Sequence, residues 1–308
     1  MTVLVGTVDG LFVLDADGDP RRVAPGRVQA LATSRASVTW ALLDDGGLLR
    51  HAGEDAWSPV PVHVDADPRT ILATAGGVVL GTANARLWRV EETGTTSLAG
   101  FDDVAGRNSW HAVGSAVPYV RSLTATADGH ALLASVHVGG IPRSTDDGAT
   151  WEPTIDVDDD VHEVRAHPGD PSIVAAAAAV GLAESHDGGA SWSVAPRTGL
   201  HATYLRAVAF TDDAVVVGAS DGPFGQHAAL YRRPLGGGAF ERCDVGLPTW
   251  LPALVDTGAL AAHGPRVVAG AGDTVFASDD GAKTWRVGAS GLPPVRAVAV
   301  TDFDSVAG

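Results

Sequence analysis

Seven short strands of one character recur along the chain at intervals that close into a ring. They are RVQALAT, TILAT, VRSLTAT, HEVRAHP, LRAVAFT, TGALAAH and VRAVAVT, each bounded by Gly, Asp or Pro. With Leu31, Leu72, Leu123, Val164, Val208, Leu260 and Val298 as centres, the intervals are 41, 51, 41, 44, 52 and 38 residues. From Val298 round through both chain ends to Leu31 is a further 41. Each first strand is followed by a strand ending in small residues and a short third strand, as in VVLGTANARLW and VVAGAGDTVFAS. Four strands per unit of roughly 40 to 45 residues is the composition of a propeller blade. The C-terminal VRAVAVT lacks the rest of its unit, and the N-terminal TVLVGTVDGLFVLDADG lacks a first strand. Each supplies what the other needs, so no edge is left open. The expectation is an all-β single domain over residues 1–308: a seven-bladed β-propeller of four-stranded antiparallel blades, closed by N- and C-terminal strands in one shared blade.

Three octets punctuate the repeats: STDDGATW from 144, SHDGGASW from 185 and SDDGAKTW from 278. Their fixed residues are Ser144, Asp146, Gly148 and Trp151, then Ser185, Asp187, Gly189 and Trp192, then Ser278, Asp280 and Trp285, with Ala282 in place of the glycine. The chemistry is that of a hairpin turn. An Asp side chain accepts nearby backbone N–H groups, and a glycine takes positive φ. The Trp leaves the turn to hide a large apolar surface between sheets. Arg50 to Trp57 and Arg233 to Phe240 read as decayed copies without the Ser and Asp. The Ser-x-Asp-x-Gly-x-x-Trp pattern resembles the Asp-box, or BNR, repeat of sialidase-like and sortilin-like propellers. That resemblance places the octets between third and fourth strands on an outer rim, where their carboxylates hold turns.

The formal charge of −16 repels phosphate backbones, and no basic stripe with interleaved aromatics exists, so nucleic acid is not an expected partner. Cys243 is the only cysteine, which excludes an intramolecular disulfide and agrees with a reducing compartment. The longest apolar run, Ile173 to Ala183, is eleven residues, well under the roughly 20 that span a bilayer. The first residues carry no secretory pattern. A cytoplasmic protein without membrane insertion is expected.

In a propeller the first strands line a central channel, and the connections before them and after the second strands open on one face. The extra residues of the two long units fall there, in Phe101 to Tyr119, Asp221 to Ala229 and Gly246 to Asp256. Long loops on a rigid scaffold carry function. These connections hold Trp110, His111, Tyr119, His201, Tyr204, Trp250, Phe224 and His227. His63, His111, His137, His162, His201 and His227 all map to that face or to the top of an inner strand. If they converge, they could hold a divalent transition metal, with Glu163 as a carboxylate; otherwise they are solvated loop or strand-end residues. Arg121, Arg206 and Arg296 stand two residues before their strand centres, with His162 in the same place of a fourth unit. Such a ring either binds a carboxylate or phosphate through charge-assisted forks or pairs with loop acids such as Asp158, Asp159, Asp160, Asp221 and Asp256.

The resemblance covers nearly the whole chain but does not assign an activity, because function lives in the site. Sialidases set three arginines around a substrate carboxylate, yet their Arg-Ile-Pro motif is missing and Ile141-Pro142 follows a glycine. Xyloglucanases place two carboxylates between two propellers; here Glu163 with Asp102, Asp160 or Asp221 would have to serve within one. The photosystem assembly factor looks like the same fold and is a non-catalytic binder. The leading expectation is a propeller that binds a small or carbohydrate-like, anionic ligand at its channel mouth. Arg121, Arg206, Arg296, Tyr119, Tyr204, Trp110 and Trp250 would form its walls and anchors. The alternatives are a metal-dependent hydrolase or lyase, with His162 and Glu163 as catalytic candidates and His111, His137, His162, His201 and His227 as metal ligands, and a protein-interaction scaffold.

Overall fold

The computed structural model describes residues 1–14, 19–53, 56–156 and 160–301. Asp158 and Asp159, and Glu54 and Asp55 of one decayed octet, lie outside the described residues, as do residues 15–18 of the N-terminal strand segment.

Twenty-eight strands form seven four-stranded antiparallel sheets. Blade 1 begins with β4 (Val28–Thr33), blade 2 with β8 (Pro68–Ala73), blade 3 with β12 (Val120–Ala125) and blade 4 with β16 (Val161–Ala166). Blade 5 begins with β20 (Tyr204–Phe210) and blade 6 with β24 (Leu260–His263). Blade 7 is the shared one: its inner strand is β28 (Val295–Thr301), paired antiparallel to β1 (Thr2–Thr7), followed by β2 (Gly10–Leu14) and β3 (Pro20–Pro25). The closing ladder runs from Thr2 opposite Thr301 through Val5 opposite Val298.

The core is divided among the interfaces between blades. One hydrophobic cluster lies at each of the seven, from Trp40, Leu42, Ile71 and Leu80 between blades 1 and 2 round to Leu4, Leu11, Val28 and Ala41 between blades 7 and 1. The small residues ending the second strands make this packing possible. A Cβ on Gly6, Gly81 or Gly270 would come within 2.4–2.6 Å of Val28, Val120 or Val295 on the inner strand of the next blade. That close approach sets how near the inner strands stand to the axis.

The octets are hairpin turns between third and fourth strands. Ser144 Oγ donates to Asp146 Oδ1 at 2.8 Å and accepts the Gly148 N–H at 2.9 Å, while Thr150 gives its N–H and hydroxyl to the Asp146 carboxylate. Ser185, Asp187 and Ser191 repeat these bonds, as do Ser278, Asp280 and Thr284. Hydroxyl donation from Thr150, Ser191 and Thr284 holds the three carboxyls at about 2. Ala282 occupies the glycine position at a φ of 67°. Trp151 and Trp285 are buried and donate to the carbonyls of Gly148 and Ala282, whereas Trp192 reaches Thr154 Oγ1. Among the described residues no helix is long and apolar enough to cross a membrane.

Candidate functional site

Six of the seven inner strands carry a register shift near their N-terminal ends. The residues left without a cross-strand partner are Gln29, Arg69, Arg121, His162, Arg206 and Arg296. A bulge of this kind re-aims a side chain out of the ladder. Here the effect is repeated round the ring: all of them except His162 line a central cavity of about 530 Å³. Blade 6 has no such shift, and Asp256, Thr257 and Gly258 ahead of β24 fill its place. Arg165 and Tyr119 complete the polar wall, over a floor that includes Leu31, Ile71 and Leu123. Five guanidiniums therefore face the cavity against two carboxylates, Glu163 and Asp256.

Pairing among these groups is incomplete. Arg206 Nε lies 3.3 Å and Arg121 Nη2 3.9 Å from the same oxygen of Asp256. Arg206 Nε has no partner in hydrogen-bond geometry, so that contact is Coulombic. Arg121 adds a 3.4 Å bond to Thr257 Oγ1. Its side chain is 7% exposed, and burial, followed by the nearby Arg206 charge, lowers its pKa. On the opposite side Arg296 bonds Gln29 Oε1 at 2.5 Å and lies 3.4 Å from Asp44, whose same oxygen takes Arg27 at 2.8 Å. Arg69 reaches Asp67 only at 3.9 Å.

Glu163, expected as a catalytic or metal-binding carboxylate, is fully buried and holds blades together. Oε1 accepts from Arg165 and from the Gly258 N–H at 3.3 Å, and Oε2 accepts the Val208 N–H at 3.1 Å. Burial raises its pKa against the lowering effect of Arg165. Ser122 does the same work one blade earlier, accepting the Val164 N–H at 2.8 Å. Both residues directly follow the bulged one. The other acids weighed with Glu163 are engaged elsewhere: Asp102 with Arg86 and Arg107, Asp160 with His137 and His162, and Asp221 with His201 and His227.

The histidines do not form one cluster. His137 and His162 flank Asp160 at 3.6 and 3.4 Å beside the channel mouth, and His201 and His227 flank Asp221 on blade 5. His111 sits apart with Nδ1 at 3.2 Å from the Ser109 carbonyl, and His63 is exposed. Among the described residues no group of three or more His, Cys, Asp and Glu side chains is arranged to hold a metal ion. His162 is completely buried, with Nδ1 on the Leu205 carbonyl and its ring against Tyr204 at 4.6 Å.

Two aromatic expectations need correction. Trp110 does not wall the channel: two short 3-10 turns, Ala99–Asp103 and Arg107–Ser109, fold its loop back onto the interface of blades 2 and 3. There Trp110 is 5% exposed, against Phe101 and under Arg107. Trp250 packs at a tilt against His201 and His227, with Arg242 over its ring, away from the cavity lining. Tyr119 lines the cavity as expected, and Tyr204 stands beside it. The lining residues missed include Gln29, Arg165 and Arg69, and the last has an identifiable cause. Register pairs Leu31 with Ala41 and Ile71 with Leu80, each two places beyond its bulge, so the equivalent of Leu31 is Ile71, not Leu72. Moving that centre by one residue brings Arg69 into the column of Arg121, Arg206 and Arg296.

The His137 environment makes stability depend on pH. Burial, followed by the Arg121 charge, depresses its pKa to about 4. The unfolded imidazole takes up a proton near 6.5 while the folded one does not until about 4, so stability falls as pH drops through that window. A loss of roughly 2–3 kcal/mol follows from a shift of this size. Denaturant melts of the wild type and H137Q between pH 7 and 4 should show a shallower decline for the variant; parallel curves would remove His137 as a contributor.

No protein-family model matches the chain, and no curated protein matches it. Solved structures do. A YCF48 structure bound to D1 peptide superposes at a TM-score of 0.60 with 17% identity, covering 99% of this chain and 89% of that one. An ancestral GH74 enzyme gives 0.63 with 12% identity over 90% of this chain and 38% of its own. The nidogen/laminin complex gives 0.57 with 10% identity over 97% of both chains. At these identities the likeness is one of fold: this chain is an all-β, seven-bladed β-propeller.

Proposed function

We propose that this propeller binds a small anionic ligand, carbohydrate-like in class, at the mouth of its central channel. The observation that carries this reading is the cavity wall of five arginines, of which Arg121 and Arg206 share a single carboxylate oxygen. Guanidinium groups left short of counter-charge in a partly dry site favour a carboxylate or phosphate by forked, charge-assisted bonds. A negative surface elsewhere leaves this as a local positive well. We also read the three octets as Asp-box (BNR) repeats, and the single buried, unpaired Cys243 supports a cytoplasmic location.

A hydrolase or lyase has less support here, since Glu163 is held by two hydrogen bonds to neighbouring blades and by Arg165 of its own strand, and the histidines form separate pairs. The second reading is a protein partner: the neighbours include a peptide complex and nidogen with laminin, and Phe224 is 93% exposed.

Thermal melts with a panel of sugar acids, sugar phosphates and their neutral parent sugars test the proposal. Anions at about 100 times their dissociation constant should stabilise by roughly 2.7 kcal/mol. The effect should shrink at about 1 M salt, where screening shortens to about 3 Å, and neutral sugars should give none. Equal shifts with charged and neutral sugars, or none with either, would sink it.

A further inference from the structure

We propose that the ligand of this channel is a compact dianion with its charges at opposite ends, one taken by Arg121 with Arg206 and the other by Arg296 with Gln29; this rests on the anion-binding reading above. The cavity has two positive poles. Arg121 and Arg206 come from blades 3 and 5 and divide one oxygen of Asp256 between them. Arg296 comes from blade 7, beside Gln29 of blade 1, and divides one oxygen of Asp44 with Arg27. In a ring of seven these two groups stand across the axis from one another. On the first side one carboxylate, Asp256, serves two guanidiniums; on the second, Arg296 shares Asp44 with Arg27, and Arg69 on the adjacent blade reaches Asp67 only at 3.9 Å, so guanidiniums outnumber their partner carboxylates on both sides. A monoanion neutralises one pole and leaves the other exposed to the same cavity.

The floor beneath the poles is finished differently: Leu31, Ile71 and Leu123 line it, and the charged wall residues Glu163 and Arg165 are bound to each other. A ligand that joins the two poles therefore lies over apolar side chains while its ends meet guanidiniums. Gln29 is already oriented: its Oε1 accepts from Arg296 and its Nε2 donates to the Arg69 carbonyl at 3.4 Å, fixing the fork in place before a ligand arrives. Linking two anionic groups at the matching span turns the second contact into an intramolecular one, which raises affinity without any new residue.

The test is calorimetric titration with α,ω-dicarboxylates from malonate to adipate, the matched monocarboxylates, and α,ω-bisphosphonates of the same lengths. One chain length should bind at least about tenfold tighter than its monocarboxylate. R296Q and R206Q should each erase that advantage, leaving the dicarboxylate no tighter than its monocarboxylate, and each should cost the monocarboxylate the site at the altered pole. Either head group at a preferred length supports the proposal, and the tighter one identifies the head group. Monocarboxylates binding as tightly as dicarboxylates of every length, with bisphosphonates showing no preferred length, would overturn the two-pole ligand and leave the anion site standing. Absence of binding by every probe to the wild type would overturn both. Arg206 is chosen over the buried Arg121 so that loss of folding does not mimic loss of binding, and melts of both variants confirm this.

Discussion

Glu163→Ala is expected to lower folding stability by about 3–5 kcal/mol, as large an effect as any single side chain of the channel region should give. Truncation leaves the buried Val208 N–H without an acceptor and strips the part-buried Gly258 N–H, on the cavity wall, of its carboxylate. Each such group costs about 1–3 kcal/mol. Arg165, whose side chain is 39% exposed, can turn to water, which keeps the total below the cost of two stranded charges. Glu163→Gln retains an acceptor for one of the two donors and should cost about half as much. Urea titrations should show a lower midpoint with an unchanged slope. A loss under about 1 kcal/mol would mean that the carboxylate is not the clamp between blades 4, 5 and 6, and would reopen its use in chemistry.

Deleting the chain from Val295 onward is expected to abolish cooperative folding. The strand Val295–Thr301 pairs with all of Thr2–Thr7 and places Val298 and Val300 in the cluster between blades 6 and 7 and Ala299 in the one between blades 7 and 1. Its loss opens two interfaces at once and leaves β1 as an unpaired edge prone to aggregation. Against a net stability of roughly 5–15 kcal/mol for a natural domain, removing a fully paired inner strand is not survivable. The truncated chain should bind a hydrophobic dye and melt without a sharp transition, and the peptide VRAVAVT supplied in trans should restore part of it. A truncated chain that melts at the wild-type midpoint would show that the terminal strand does not close the ring.

How far the sequence could be read follows from what each feature depends on. Ring closure was legible because strand propensity and glycine punctuation are local, and counting through the two ends needs no coordinates. The octets were legible because the Ser–Asp–Gly turn chemistry lies within eight residues. The bulges were not, because a bulge is defined by the residue count on a partner strand. TILAT offers Ile71 and Leu72 as equally apolar centres, and choosing the second hid Arg69. Glu163 was misread for a related reason. Aligned on their bulges, VRSLTAT and VHEVRAHP put Ser122 and Glu163 in one column, a signal of a shared role holding the next blade. Trp110 and Trp250 were drawn to the mouth because they lie in long loops. The path of such a loop depends on where its apolar side chains find a partner, and Trp110 found Phe101.

The most direct measurement is the anomalous diffraction of crystals soaked in sodium bromide. Bromide is a small monoanion with no shape preference, so it reports where positive charge is left uncompensated. The expected result is a peak inside the channel, within contact distance of both the Arg121 and Arg206 guanidiniums, with a second beside Arg296. Bromide found only on the outer faces of the blades, with the channel empty at a concentration that fills those sites, would contradict an anion site at the bulged arginines.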